Sequence, residues 1–255
     1  MRKVLNRVPE VTIFFWIIKV LATTVGETVA DFLSGNLNLG LSFTSYIMSG
    51  MLLIALLNQF RLKRYVPTSY WIVVVLMSIT GTLITDRVVD ELGVSLVTTT
   101  IIFSLILSAV FGIWYSNEKT LAMHSINTAK RELFYWLAIL FTFALGTATG
   151  DLLAEFLRLG YAQSALVFGA LIAIITNGYY YFRMNAILAF WIAYILSRPL
   201  GASMGDLLSQ PAKNGGLGLG TVGTSMLFLA IIVSLVIYLS LKQKKQASLP
   251  INQQH

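Results

Sequence analysis

Lys19, Thr23, Glu27 and Asp31 stand four residues apart inside a stretch that is otherwise apolar. At that spacing the side chains share one helix face, so an ammonium, a hydroxyl and two carboxylates form a polar stripe along a greasy rod. Carboxylate and hydroxyl oxygens are ligands for hard cations such as Mg, Ca or Mn, whereas copper and zinc prefer nitrogen and sulfur. A charge near the middle of a bilayer costs roughly 2.5 to 3.5 kcal/mol even on the most lenient scale. Such a stripe must face protein or enclosed water, not lipid.

The stripe belongs to a repeat. Trp16, Gly26 and Asp31 define a spacing W-x9-G-x4-D that returns at Trp71, Gly81, Asp86, at Trp136, Gly146, Asp151 and at Trp191, Gly201, Asp206. Four of the five tryptophans and four of the five aspartates fall into this register. Transferring the polar stripe gives Val74, Ser78, Thr82 and Asp86, then Ile139, Phe143, Thr147 and Asp151, then Tyr194, Arg198, Ala202 and Asp206. Glu27 is singular, because no other repeat has an acid at its position, and it is the strongest single functional candidate. The ion-binding candidates are Glu27, Asp31, Asp86, Asp151 and Asp206, with Lys19, Arg198, Thr23, Thr82 and Thr147 beside them; the five acids are also the candidate metal ligands.

The elements that carry these residues follow from composition. The 255 residues are 56% hydrophobic and 11% charged, with a mean hydropathy of +0.76, against roughly 25% charged in an average soluble domain. Apolar stretches at about 11–33, 39–60, 69–90, 94–115, 133–156, 161–182, 187–208 and 219–241 each approach the roughly 20 residues needed to cross hydrocarbon. The expected fold is all-α: eight transmembrane helices forming a single domain over 1–242, in four two-helix repeats at about 11–65, 66–118, 131–184 and 186–242. Because each repeat holds two spans, all four face the same way, around a pseudo-fourfold axis or a twofold axis of pairs. The motif helices form an inner ring and the plainer second helices surround it. Gly26, Ala30, Gly81, Gly146, Gly150, Gly201 and Gly205 permit close helix approach. Fifteen residues of helix separate each Trp from its Asp by about 22 Å, so the tryptophans read as interfacial anchors at one end and the aspartates as a ring near the other.

Charge placement sets the topology. Arg2, Lys3, Arg7, Arg61, Lys63, Arg64, Lys119, Lys130, Arg131, Arg183, Lys242, Lys244 and Lys245 fall on one side, against Arg87, Arg158 and Lys213 on the other. The positive-inside rule puts both termini in the cytoplasm. The net charge of +7 therefore reflects topology and attraction to the lipid bilayer, not nucleic acid. The first span lacks a small-residue cleavage site and reads as a retained helix; the polar segment 243–255 reads as a disordered tail. No cysteine is present, which removes disulfides and thiolate chemistry, and the two histidines show no metal-ligand spacing. No nucleophile stands beside a base and no cofactor motif occurs, so neither enzyme chemistry nor a cofactor is expected.

Two readings of the aspartates stay open. They cap helix ends and pair with Arg87, Arg158 or Lys213 while Lys19 and Arg198 neutralise Glu27 and an Asp, or they converge on a shared cation site with Glu27 as the deeper partner. Pro199, next to Arg198 and before Gly201 and Gly205, marks the seventh span as the one expected to kink or break. The W-x9-G-x4-D pattern, with "KVLATTVGETVADFLS" and "FYWLAILFTFALGTATGDLLAEF", resembles a bacterial family of membrane-anchored proteins built from four copies of a repeat of unknown function. The resemblance covers nearly the whole chain and implies an eight-span bacterial inner-membrane protein. It implies no substrate. The residues favour a cation transporter or channel-like carrier; the alternatives are a carrier of a small organic solute, lined by Tyr194 and Phe143, or a scaffold or sensor whose stripe only sets helix registry.

Overall fold

A computed structural model describes residues 6–248. Arg2, Lys3 and the last seven residues of the expected tail lie outside the described residues. Eight long helices carry the chain: α1 (Ile13–Asp31), α2 (Leu41–Arg61), α3 (Pro67–Asp86), α4 (Leu96–Glu118), α5 (Ala129–Asp151), α6 (Tyr161–Tyr181), α7 (Ala186–Ser209) and α8 (Gly220–Ser248). Each is long and apolar enough to cross a membrane, and the protein is an all-helical membrane protein of four repeats.

Local chemistry fixes where the motif helices begin. Thr12, Thr128 and Asn185 accept hydrogen bonds from first-turn amides of α1, α5 and α7, and Pro67 opens α3, a position where its missing N–H costs nothing. The other ends are more unusual. After Asp31, Asp86 and Asp151 the helix widens into π turns, Phe32–Asn36, Arg87–Glu91 and Leu152–Phe156. These are held by i to i+5 bonds from Leu37 N–H to Phe32 O (2.9 Å), Leu92 N–H to Arg87 O (3.1 Å) and Leu157 N–H to Leu152 O (3.0 Å). The chain then reverses through the Leu-Gly pairs, whose glycines 40, 93, 160 and 220 have φ between +67° and +77°, a region closed to most other residues.

Packing sorts the helices into two shells. α1, α3, α5 and α7 touch in a closed ring, α1 on α3, α3 on α5, α5 on α7 and α7 on α1. Each second helix leans not on its own partner but mainly on the motif helix of the next repeat: α2 on α3, α4 on α5, α6 on α7, and α8 back on α1. The polar stripe is enclosed, with Lys19, Thr23, Ser78, Thr82, Thr147 and Arg198 all fully buried. The outer helices expose Leu53, Ile54 and Leu57 on α2, Ile101 and Leu105 on α4, Leu166 and Ile174 on α6, and Leu227 and Ile237 on α8, as a lipid-facing surface requires.

The motif glycine explains the closure. A Cβ on Gly26 would overlap Ser78, one on Gly81 would meet Phe143 Cβ at 2.6 Å, one on Gly146 would overlap Arg198, and one on Gly201 would meet Thr23 Cβ at 2.6 Å. The intruder is in every case the residue eight positions before the aspartate of the neighbouring repeat. Each repeat thus offers a notch that the next repeat fills, around the full ring.

Three expectations change. Trp71, Trp136 and Trp191 are not interfacial anchors, since they are 2%, 1% and 4% exposed within an aromatic layer shared with Phe15, Tyr70, Tyr135 and Tyr194; only Trp16 is half-exposed. An apolar run ending in Trp looks the same whether the indole meets headgroups or neighbouring helices. α7 is not broken at Pro199, one helix spanning Ala186–Ser209, and π turns follow the aspartates of the first three repeats instead. α8 continues to Ser248, so residues 243–248 of the expected tail are helical.

Candidate functional site

The axis of the ring can be followed level by level. At the aspartate level the π turns open a cavity of about 400 Å³. Glu27, Asp31, Asp86, Asp151 and Asp206 all line it, with Asp90 and Gln210 at its edge and Ser34 and Gly35 from the first π turn. One carboxylate oxygen each from Glu27, Asp151 and Asp206 lie within 4.8 Å of one another. Asp86 interacts electrostatically with Glu27, Asp151, Asp31 and Asp90, as expected of acids converging from separate helices. Glu27 and Asp206 are buried, while Asp31, Asp86 and Asp151 are half-buried.

One turn deeper the cavity has a floor. Arg198 Nη2 donates to Glu27 Oε2 (3.3 Å) and to Thr147 Oγ1 (2.8 Å), and also to Thr82 Oγ1. Its Nη1 donates to Thr23 O (3.0 Å) and its Nε to Phe143 O (3.3 Å). Thr82 Oγ1 lies 3.2 Å from Glu27 Oε2 and 3.4 Å from Thr147 Oγ1. The guanidinium therefore ties α7 to α1, α3 and α5 at once. A planar fork with five donors suits this better than a point charge would, and the hydrogen bonds from every side are what make a buried ion pair tolerable.

Below the floor the axis is positive and aromatic. Lys19 Nζ donates to Thr23 Oγ1 (3.3 Å) and sits 4.5 Å from the ring centre of Phe143 and 4.4 Å from that of Tyr194. Arg198 Cζ is 5.2 Å from the same Phe143 ring. Beneath Lys19 the aromatic layer follows, with Tyr70 and Tyr135 hydrogen-bonded through their hydroxyls. At this end Glu132 is fully buried and accepts from Arg7 Nη1 (2.7 Å), Gln59 Nε2 (3.1 Å) and Trp136 Nε1 (3.4 Å). Asn6 and Arg7 are held against the 122–126 turn and Tyr65. Burial pushes the Tyr65 phenol well above its ordinary range.

The site therefore has an acidic half that holds an aqueous-scale cavity and a positive, ring-lined half that closes the axis. The model of a repeat of unknown function (DUF347) matches residues 14–65, 69–120, 134–185 and 189–245. The chain belongs to this family. No curated protein and no solved structure matches it. The DUF347 repeats thus contribute unequally to the site: the first supplies Lys19 and Glu27, the fourth supplies Arg198, and all four supply an Asp.

Of the residues singled out by sequence, Glu27 and the four aspartates meet at the cavity. Thr82, Thr147 and Arg198 form the hydrogen-bonded layer beneath Glu27 and, like Thr23, Lys19, Phe143 and Tyr194, do not themselves line the cavity. Two expected pairings are corrected. Lys19 does not neutralise Glu27, because Arg198 reaches it first from α7, and Arg87 pairs with Glu91 at 3.1 Å and with Tyr46 instead of an aspartate. Sequence reasoning missed Asp90, Gln210 and Glu132. Glu132 stands four residues before Trp136 on one helix face, a spacing that could have suggested a buried acid, but its Arg7 partner is 125 residues away.

Proposed function

We propose that this protein is a cation carrier of the bacterial inner membrane, with both termini in the cytoplasm and the acidic cavity open to the outer side. The observation that carries the reading is the meeting of five carboxylates from four repeats at one cavity, with Arg198 bonded to Glu27 beneath it. The five share one volume, and a cation or water there would relieve the repulsion between like charges in a low-dielectric slab.

The ligand chemistry favours a hard divalent ion. Three carboxylate oxygens within 4.8 Å of one another can bind one ion at the roughly 2.0 to 2.6 Å typical of Mg, Mn or Ca. The volume of about 400 Å³ leaves room for retained water, and it also reaches the lower end of small-molecule sites, about 300 Å³, so a small organic cation is the second reading. Arg198 holds one Glu27 oxygen, Oε2, from beneath, so a cation bound to Glu27 would compete with the guanidinium for that carboxylate's charge. The test is uptake of labelled Mn²⁺ into proteoliposomes. Parent protein is expected to transport, and Glu27→Gln to lose at least roughly tenfold in rate, the scale of losses at metal sites; equal uptake by parent, Glu27→Gln and protein-free vesicles would remove the reading.

A further inference from the structure

The outer surface of the helix ring carries a groove. It runs between α2, α3 and α5, has a volume of about 420 Å³ and is almost entirely apolar. Leu53 and Leu57 of α2, Met77 of α3 and Leu133 and Leu137 of α5 form its walls. Trp136, only 1% exposed, lies at its base. Along α2 the groove extends from Ser49 to Phe60, about 16 Å of helix. That is the long, narrow shape of one extended hydrocarbon chain.

The repeats explain why the groove lies here. Forty and forty-three residues after the motif tryptophan stand Leu56 and Gln59 in the first repeat, but Phe111 and Trp114 in the second. Both rings of the second repeat pack edge-on against Trp191, with centroids 4.8 and 5.7 Å away. Trp136 is the counterpart of Trp191 one repeat earlier. Beside it the smaller Leu56 lines the groove, and Gln59 is bonded to Glu132 at 3.1 Å. The space is what two missing aromatic rings leave.

Charge at one end of the groove tells what could fill it. Leu53, Leu57 and Arg61 stand four apart on α2, and Lys130, Leu133 and Leu137 stand three and four apart on α5. Each apolar wall therefore continues along the same helix face into a cation, and both cations are exposed. Arg61 has no ion pair among the described residues. Lys130 shares Glu118 with Arg131, at 3.5 and 2.8 Å, and donates to Asn117 at 3.1 Å. Those two cations and one carboxylate keep a net positive charge. An apolar slot that ends between basic side chains suits a hydrocarbon tail with an anionic head, because basic residues at a membrane surface attract anionic lipid. A zwitterionic head brings its own cation and gains less.

We infer that this groove is a binding site for an anionic phospholipid, with one acyl chain lying along Trp136 and the phosphate held between Arg61 and Lys130. Such a site needs no transported ion, so it stands whether or not the protein is a carrier.

The test uses the whole protein in detergent with equal amounts of phosphatidylglycerol and phosphatidylcholine, each carrying a photoreactive group in one acyl chain. Native mass spectrometry counts the retained lipid, and peptide mapping locates the label. Parent protein is expected to retain phosphatidylglycerol over phosphatidylcholine, with label on 49–60 and 133–140. Arg61→Gln is expected to lower that preference about fivefold, the scale of one basic residue at an anionic surface, whereas Arg183→Gln, at another exposed site, should leave it unchanged. Leu56→Phe, which puts the second repeat's ring into the groove, is expected to reduce the label on both segments severalfold with no loss in unfolding temperature. Should Leu56→Phe fail to fold, Arg61→Gln decides alone. Equal retention of the two lipids by the parent, which would mark ordinary annular lipid only, would overturn the inference. So would label spread evenly over all eight helices, or a preference that Arg61→Gln leaves intact.

Discussion

Arg198 is the side chain through which all four repeats meet. Its partners are two hydroxyls, two carbonyls and one carboxylate, and the residues that supply the hydroxyls and carbonyls are fully buried, out of reach of solvent. Arg198→Ala would leave Glu27 without its cationic partner and both threonine hydroxyls without the guanidinium. Breaking a buried pair from one side costs about 3 to 5 kcal/mol, so the variant is expected to unfold at a distinctly lower temperature in detergent. Glu27→Gln combined with Arg198→Met should recover part of the loss, because neither charge is then stranded, and thermal unfolding of the two singles and the double gives the coupling. Strict additivity of the two changes would show that the pair is not a unit.

At the scale of elements, the motif glycines and their near neighbours behave differently although their sequences look alike. Gly146 and Gly150 lie one turn apart on α5, but a Cβ on Gly146 would overlap Arg198, whereas one on Gly150 would make ordinary contacts at 3.7 to 3.8 Å. Gly146→Ala is expected to destabilise by about 1 to 3 kcal/mol or more through overpacking, and Gly150→Ala to be neutral or stabilising by up to about 1 kcal/mol from helix propensity. Unfolding midpoints of the two variants check this, and equal effects would mean that the notch is not what closes the ring. The repeat spacing made this element order legible, because fifteen residues from Trp to Asp fix one helix face and the Leu-Gly pair marks each reversal. The π turns were not legible. Phe32–Asn36 and Leu152–Phe156 share no residue type that demands a widened helix, and each begins directly after a motif aspartate.

The whole molecule is a ring of interlocked hairpins with one acidic end. Its eight spans, fourfold repetition and the common side of its aspartates could be read from residues alone, since charge, hydropathy and period are local properties. The Arg198–Glu27 contact could not, because it joins positions 171 residues apart and depends on which helices close the ring. The indoles were misread for a related reason: depth along a helix is local, but the neighbour on its flank is not. The absence of native cysteine makes orientation testable with single thiols. Leu92→Cys at the acidic end and Lys119→Cys at the other are both at exposed positions. In intact cells an impermeant maleimide should label Leu92→Cys alone, and the opposite pattern would invert the topology.

The central claim is that carboxylates from separate repeats form one cation site. Equilibrium binding of Mn²⁺ to the purified protein, followed by loss of the free-ion paramagnetic resonance signal, tests it directly. Parent protein should bind Mn²⁺ saturably and release it to excess Ca²⁺ or Mg²⁺, and a variant with Glu27→Gln and Asp206→Asn together should not bind it. Undiminished binding by that variant, or no saturable binding by the parent, would contradict the claim.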